Sequence, residues 1–310
     1  MNLLIKFLLL ALGFVMLIKG ADFFVSGASG IAYRFGIPHL IVGLTIVAMG
    51  TSAPEAAVSI AAAFKGSADI TIGNIVGSNI LNILLILGIS SVLAALTVPK
   101  SAVRVEIPFV IIVSAVLLIM GLDGNISRID GIILCAIFAF YMVYLFSKAK
   151  KDKKTEEDVQ KSPLWKNVLL TAAGLVLIVL GSNFTVDSAS GIARIFGMSE
   201  RFIGLTIVAL GTSLPELFTS VSAARRGNVD IAIGNIVGSS AFNILFVVGM
   251  SALIIPVPFA AKFRVDAAVA AVAALILLLF CKRKKQINKP AGICLLSIYA
   301  AYFVYLLQRP

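Results

Sequence analysis

The chain is poor in charge: only 13% of its 310 residues are Asp, Glu, Lys or Arg, whereas 60% are hydrophobic and the mean hydropathy is +1.05. A soluble domain of this size could not bury that much apolar surface, but a lipid bilayer is itself an apolar solvent. The composition therefore argues against a soluble protein and predicts a polytopic membrane protein.

Cysteine and histidine are also scarce. The three cysteines lie far apart in apolar segments and form no C-x-x-C pair, and there is one histidine, His39. This pattern argues against a disulfide framework or a zinc site, and we expect no cofactor. The net charge of +11 would suggest nucleic acid in a soluble protein. Here the basic residues cluster between apolar runs, so we interpret them as determinants of membrane topology and expect no nucleic-acid partner.

Ten segments are long and apolar enough to cross a bilayer, which requires about 20 residues. We therefore predict an all-α membrane protein with ten transmembrane helices, over residues 3–24, 40–64, 70–96, 103–121, 129–147, 164–186, 201–224, 231–255, 265–281 and 290–307.

One long hydrophilic stretch, KAKKDKKTEEDVQKSP at 148–163, divides the chain into residues 1–147 and 164–310. Its composition is typical of a solvated linker. If this linker is cytoplasmic, 18 of the 26 lysines and arginines lie on its side of the membrane. The positive-inside rule then predicts a cytoplasmic linker, extracytoplasmic termini and location in the cell membrane.

The two halves repeat each other at an offset of 161 residues. GLTIVAMGTSAP at 43–54 matches GLTIVALGTSLP at 204–215, and DITIGNIVGSNILNIL at 69–84 matches DIAIGNIVGSSAFNIL at 230–245. Five spans per half is an odd number, so the second copy must enter the membrane from the opposite side. Inverted repeats of this kind are typical of secondary transporters, whose substrate site lies near the midplane.

Within the repeat, the motif G-T-S-x-P-E occurs mid-span at 50–55 and again at 211–216. A proline there has no N–H to donate and clashes with the carbonyl four residues earlier, so we predict broken helices near Gly50 and Gly211. Freed carbonyls at membrane depth are tolerated where they line a cavity. Further oxygen atoms come from the adjacent hydroxyls of Thr51, Ser52, Thr212 and Ser213.

Glu55 and Glu216 are the central candidates for function. An ionised carboxylate in the hydrocarbon core is costly unless something positive compensates it. No lysine or arginine lies in the central part of any predicted span. The carboxylates are therefore either protonated packing residues or ligands of a bound cation, and their duplication beside two helix breaks favours the cation.

A polar stripe follows in the next span of each half. Successive steps of four residues place its members on one helical face. Such a stripe often joins helices by hydrogen bonds, but beside the glutamates it favours a site wall. Its members are Asn74, Ser78 and Asn82, and in the second half Asn235, Ser239 and Asn243.

This set contains only oxygen ligands, which suits Ca²⁺ or Na⁺ rather than a soft transition metal. Mg²⁺ is a weaker candidate because it gives up its water reluctantly. Two carboxylates balance one divalent ion or two monovalent ions, which gives exchange a simple electrostatic basis.

The paired G-T-S-x-P-E and G-N-x-x-G-S-x-x-x-N motifs resemble the two α-repeats of the cation/calcium exchanger superfamily, in its prokaryotic sodium/calcium exchanger branch. The resemblance covers essentially the whole chain. It implies that Glu55 and Glu216 bind Ca²⁺, with ligation from Thr51 and Thr212. It also implies sodium sites at Ala48, Ser52, Ser78, Ala209, Ser213 and Ser239, with Asn82 and Asn243 completing the centre. One departure is Asn243, where well-described exchangers often carry Asp.

Several alternatives remain open. A proton/calcium exchanger could use the same glutamates, whereas potassium co-transport goes with the Asp that Asn243 replaces. An intramembrane hydrolase with an acid pair would not need two matched halves, and a passive channel would be marked by transport that does not saturate and needs no counter-ion. We expect a transporter, not an enzyme, with no obligate protein partner. Glu106, near a predicted span end, is expected to be solvated.

Overall fold

The computed structural model describes residues 3–151, 162–198, 207 and 209–308. Eight of its helices are long and apolar enough to cross a membrane. They are α1 (Leu3–Phe35), α4 (Ile70–Leu93), α5 (Ala102–Asp123), α6 (Arg128–Lys151), α7 (Leu164–Ile195), α10 (Val229–Ile254), α11 (Ala261–Lys282) and α12 (Lys289–Gln308).

Two shorter pairs of helices supply the broken segments. Helices α2 (His39–Thr51) and α3 (Ala53–Phe64) meet at a bend of 49° and together are long and apolar enough for a ninth span. Helices α8 (Ala209–Thr212) and α9 (Leu214–Arg225) repeat this break in the second half. The one remaining predicted span, 201–224, begins in residues outside the described part of the chain.

Helices α1 and α7 are longer than predicted, since they continue to Phe35 and Ile195. Helix α1 has 33 residues, which corresponds to about 50 Å, more than the ~30 Å of a hydrocarbon core. It must therefore lie tilted in a bilayer or project from it. Residues 148–151, at the start of the predicted linker 148–163, continue α6, and residues 152–161 lie outside the described part of the chain.

Four two-residue strands join the ends of the helices across the halves: β1 (Leu96–Thr97), β2 (Asn125–Ile126), β3 (Val257–Pro258) and β4 (Gln286–Ile287). Strand β1 pairs with β4, and β2 pairs with β3, both antiparallel. At the offset of 161 residues, β1 corresponds to β3 and β2 to β4. Each pairing is thus the image of the other, residue for residue, as an approximate two-fold relation requires.

Helices α4 and α10 form the centre of the bundle. Most of their length is buried, 78% and 94% over their most apolar windows, against 17% for α1 and 11% for α12. Helix α10 approaches α2 so closely that a side chain on Gly234 would meet the Cα of Gly43 at 2.8 Å. Two helices that each carry part of the duplicated motif therefore contact each other directly across the halves.

Wider π-helical turns interrupt both central helices, at Leu81–Ile86 in α4 and Asn243–Val248 in α10. Another π-helical turn, Gly43–Val47, lies in α2. Such turns are rare and frequently occur at functional sites, because the inserted residue changes the direction of neighbouring side chains. Here the turns begin at or next to Asn82 and Asn243.

The expectation that Glu106 is solvated is wrong. Its side chain is fully buried in α5 and forms an ion pair with Lys148 of α6, with Nζ and Oε1 3.0 Å apart. Tyr141 donates a second hydrogen bond to this carboxylate, at 3.0 Å. The partners come from a different helix 35 or more residues away, so position near a span end could not reveal them.

Candidate functional site

The predicted helix breaks are present, two residues beyond the glycines. Ser52 and Ser213 leave the helical conformation, with φ and ψ of −84° and 7° and of −91° and 4°. A proline, Pro54 or Pro215, lies in the first turn of the helix that follows each break. This position tolerates proline because the missing N–H has no partner within the helix there.

The breaks bring Glu55 and Glu216 to the start of α3 and α9, in the interior of the protein. The two side chains are 0% and 1% exposed. They are close enough to each other to interact electrostatically. Among the side chains that the structure describes, no lysine or arginine is buried. The two carboxylates therefore have no buried basic side chain to balance them within the described part of the chain.

At each carboxylate, a polar side chain from the opposite half lies close by. Ser52 of the first half donates a hydrogen bond to Oε1 of Glu216 in the second, at 2.7 Å. Ser78 and Ser213 lie beside Glu55, and the Ser213 hydroxyl donates to that of Ser78 at 3.4 Å. These three hydroxyls, predicted as site residues, are therefore grouped around the acidic pair.

Ser239 and Ala48 also meet across the halves, since the Ser239 hydroxyl donates to the carbonyl of Ala48 at 3.3 Å. That carbonyl also accepts the N–H of Ser52, at 3.0 Å. The Gly211 carbonyl, which Pro215 frees, accepts a hydrogen bond from Ser182 at 2.7 Å. These two carbonyls thus already have partners.

The side-chain amides of Asn74 and Asn235 form hydrogen bonds to the helices that carry the glutamates. Each amide donates to the backbone carbonyl of the glutamate in its own half, at 3.5 and 3.4 Å. Each also donates to a serine on the same helix as that glutamate, Ser59 at 3.0 Å or Ser220 at 2.9 Å. For these two stripe residues, hydrogen bonding between helices is the better interpretation.

Thr51 and Thr212 occupy equivalent positions but differ in their contacts. Thr51 donates to Oδ1 of Asn235 at 2.9 Å, an interaction across the halves. The hydroxyl of Thr212 is buried and has no hydrogen-bond partner within the described residues. The side chain of Ala209, the remaining predicted residue in this region, lies outside the described part of the structure.

Asn82 and Asn243 lie in the two π-helical turns, which pack against α9 and α3, and their side chains are 1% and 0% exposed. Neither amide atom of Asn82 has a described hydrogen-bond partner, and neither has Oδ1 of Asn243. The amide nitrogen of Asn243 donates to Asn79 at 3.3 Å. Asn79 was missed at the sequence level because its equivalent in the second half is Ser240, so duplication did not reveal it.

Buried polar atoms without partners are uncommon in proteins, and a group of them requires an explanation. Among the described residues of this region, such atoms are both carboxylate oxygens of Glu55, Oε2 of Glu216, Oδ1 of Asn243, both amide atoms of Asn82 and the Thr212 hydroxyl. All but the Asn82 nitrogen are oxygens, which carry a partial negative charge or share the charge of a carboxylate. Chemically, this donor set fits a hard cation such as Ca²⁺ or Na⁺.

Comparison with known proteins agrees with this chemistry. The family model described as sodium/calcium exchanger protein matches residues 5–147 and 166–308. Curated relatives include the putative antiporter CaxA of Alkalimonas amylolytica, 39% identical over 96% of this chain and 98% of that protein. The sodium/calcium exchanger MaX1 of Methanosarcina acetivorans is 31% identical over 97% of this chain and 98% of its own length.

Solved structures of the sodium-calcium exchanger NCX_Mj have the same fold. One, soaked with zero Na⁺ and Ca²⁺, superposes with a TM-score of 0.87 at 30% identity, covering 98% of this chain and 100% of that one. Fold and site thus define a membrane-embedded ion transporter. More specifically, the chain belongs to the sodium/calcium exchanger family, in its prokaryotic branch, which confirms the resemblance seen in the motifs.

Proposed function

We propose that this protein is a secondary active antiporter that exchanges Na⁺ for Ca²⁺ across the cell membrane by alternating access. The observation that carries the proposal is the pair of buried glutamates, one from each half, with no buried basic side chain among those described. Na⁺ and Ca²⁺ are its substrates; it is not an enzyme and requires no cofactor.

Charge balance explains why the two ions exchange instead of crossing independently. Two ionised carboxylates buried without a counter-ion are unfavourable by several kcal/mol each. One Ca²⁺ or two Na⁺ would neutralise the pair. The empty site is therefore the least stable state, and release of one substrate is favoured when the other enters.

The proposed ligands come from both halves. Glu55 and Glu216 supply the charge, and the surrounding oxygens supply the remaining coordination. Support comes from the contacts between the halves at Ser52, Thr51 and Ser239. The proposed set comprises Ala48, Thr51, Ser52, Glu55, Ser78, Asn82, Ala209, Thr212, Ser213, Glu216, Ser239 and Asn243.

Alternating access follows from the internal repeat. We propose ten transmembrane helices in two inverted repeats, residues 1–147 and 164–310, with the site near the bilayer midplane. The equivalent strand pairings β1–β4 and β2–β3 support a two-fold relation between the halves. The distribution of lysine and arginine favours a cytoplasmic linker and extracytoplasmic termini.

A proton/calcium exchanger is the second candidate, since a buried carboxylate can also be neutralised by protonation. Uptake of radiolabelled Ca²⁺ into proteoliposomes distinguishes the two. Vesicles loaded with Na⁺ and diluted into Na⁺-free buffer at equal pH should accumulate Ca²⁺. Vesicles with an imposed pH gradient and no Na⁺ should not. Uptake driven only by the pH gradient would make H⁺ the counter-ion and overturn the proposal.

A further inference from the structure

Asn79 lies where the two halves meet, although no duplicated motif marks it. Its side chain is 2% exposed, and it is the neighbour of Ser78 on α4. At the offset of 161 residues its equivalent is Ser240, and the two residues contact each other. The Asn79 amide nitrogen donates to the backbone carbonyl of Ser240 at 3.1 Å.

This contact fixes the orientation of the Asn79 side chain. A backbone carbonyl can only accept a hydrogen bond, so the Asn79 amide must present its nitrogen to Ser240. Its oxygen, Oδ1, is then directed to its other neighbour, Asn243, 3.3 Å away. Since Oδ1 can only accept, Asn243 must present its own nitrogen in return.

The same chain of contacts leaves the oxygen of Asn243 free. That oxygen is buried and has no hydrogen-bond partner among the described residues. Asn243 follows Ser239 by one helical turn, and Ser239 lies beside Glu216. The π-helical turn that begins at Asn243 packs against α3, which carries Glu55. The orientation therefore leaves a carbonyl oxygen, rather than an N–H group that would repel a cation, free in this buried region.

Asn82, the equivalent of Asn243 in the first half, lacks this restraint. Ser240 donates its hydroxyl to Ile236 in its own helix, at 2.9 Å, and so does not orient Asn82. Both amide atoms of Asn82 are without described partners. The two central asparagines are thus chemically identical but differ in how firmly their oxygens are directed.

We propose that Asn79 is a positioning residue that holds the amide of Asn243 with its oxygen toward the transported cation, so that Asn243 acts as an oriented neutral ligand. This inference deepens the proposed function and rests on the same cation site. It predicts that Asn79 affects ion affinity through Asn243 and through no other ligand.

A double-mutant cycle tests this coupling. The measurement is equilibrium binding of radiolabelled Ca²⁺, and its competition by Na⁺, on purified full-length protein. Asn79→Ala is compared in three backgrounds: wild type, Asn243→Asp and Asn82→Asp. A carboxylate at 243 has two equivalent oxygens and needs no amide orientation, whereas Asn82→Asp adds the same charge at a position with no described hydrogen bond to Asn79.

We expect Asn79→Ala to weaken Ca²⁺ binding by about 3- to 10-fold in wild type and in Asn82→Asp, the range typical of one misdirected hydrogen bond. In Asn243→Asp the loss should fall below about twofold. An equal loss in all three backgrounds would show a merely structural role, and no loss in wild type would remove Asn79 from the site. Either result overturns the inference.

Two controls keep the test decisive. Asn79→Ser carries the residue natural at the equivalent position 240 and replaces Asn79→Ala if the latter does not yield folded protein. Because binding is measured apart from transport, wild type that binds Ca²⁺ without exchanging it would refute the proposed function and still allow the cycle. Wild type that binds neither ion would refute both.

Discussion

Removing one carboxylate while keeping its shape is the most informative perturbation of the site. Glu55→Gln and Glu216→Gln each replace a buried negative charge by a neutral amide of almost the same size. If both carboxylates ligate Ca²⁺, each substitution should abolish Ca²⁺ uptake while the protein remains folded. The two variants should behave alike, since the glutamates occupy equivalent positions.

The size of the effect follows from electrostatics. Two unit charges about 4 Å apart interact by about 4 kcal/mol at an effective dielectric constant of ~20, and the divalent charge of Ca²⁺ doubles this. Part is offset because the neutral amide also removes repulsion between the two carboxylates. A net loss of at least about 3 kcal/mol remains, which lowers Ca²⁺ affinity by more than about 100-fold.

The thermal stability of the ion-free protein should not fall in Glu55→Gln and Glu216→Gln, in contrast to their Ca²⁺ affinity. Without Ca²⁺ or Na⁺, a buried amide is less unfavourable than a buried carboxylate, so both variants should melt at or above the wild-type temperature. The stabilisation that Ca²⁺ gives to wild type should disappear.

Glu106→Gln is the matched control, since it alters a fully buried glutamate whose partner is Lys148. It should lower the melting temperature and leave Ca²⁺ affinity unchanged. Near-normal Ca²⁺ affinity in Glu55→Gln or Glu216→Gln would refute the reasoning.

Three further substitutions test other parts of the account. Lys148→Ala should lower stability by about 3 kcal/mol or more, because it leaves the Glu106 carboxylate buried without its ion partner; Lys150→Ala, on the exposed side of the same helix, should change the melting temperature little. Gly234→Ala should impair folding or transport, since the added methyl carbon would lie 2.7–2.9 Å from the backbone of α2, and thermal melts with uptake assays will measure both effects. Asn243→Asp should change the Na⁺ dependence of uptake without abolishing it, and identical kinetics would show that the extra carboxyl group has no effect on transport.

Most of the architecture was predictable because the bilayer constrains it. Long apolar runs have few alternatives in a membrane protein, and the repeat at 161 residues located the broken helices. The lengths of α1 and α7 were not predictable from hydropathy, since their last turns contain polar and small residues that pack in the protein. Glu106 shows the same limit, because its partner Lys148 lies in another helix.

Residues of the candidate site could be selected from the sequence where the two halves repeat each other, but not where they differ. Glu55 and Glu216 stand out because a carboxylate in an apolar span is costly, and duplication confirms that each copy retains it. Asn74 and Asn235 are duplicated too, yet their hydrogen bonds give them a supporting role that spacing could not distinguish. Asn79 carries no signal of either kind, because its proposed role depends on contacts between helices.

Ca²⁺ binding at equilibrium, with its stoichiometry and its competition by Na⁺, tests the central claim most directly. If one site is built from both halves and serves both ions, purified protein should bind one Ca²⁺ per chain, and Na⁺ should displace it completely. Two Ca²⁺ per chain, one for each repeat, or Ca²⁺ binding that Na⁺ does not affect, would contradict it.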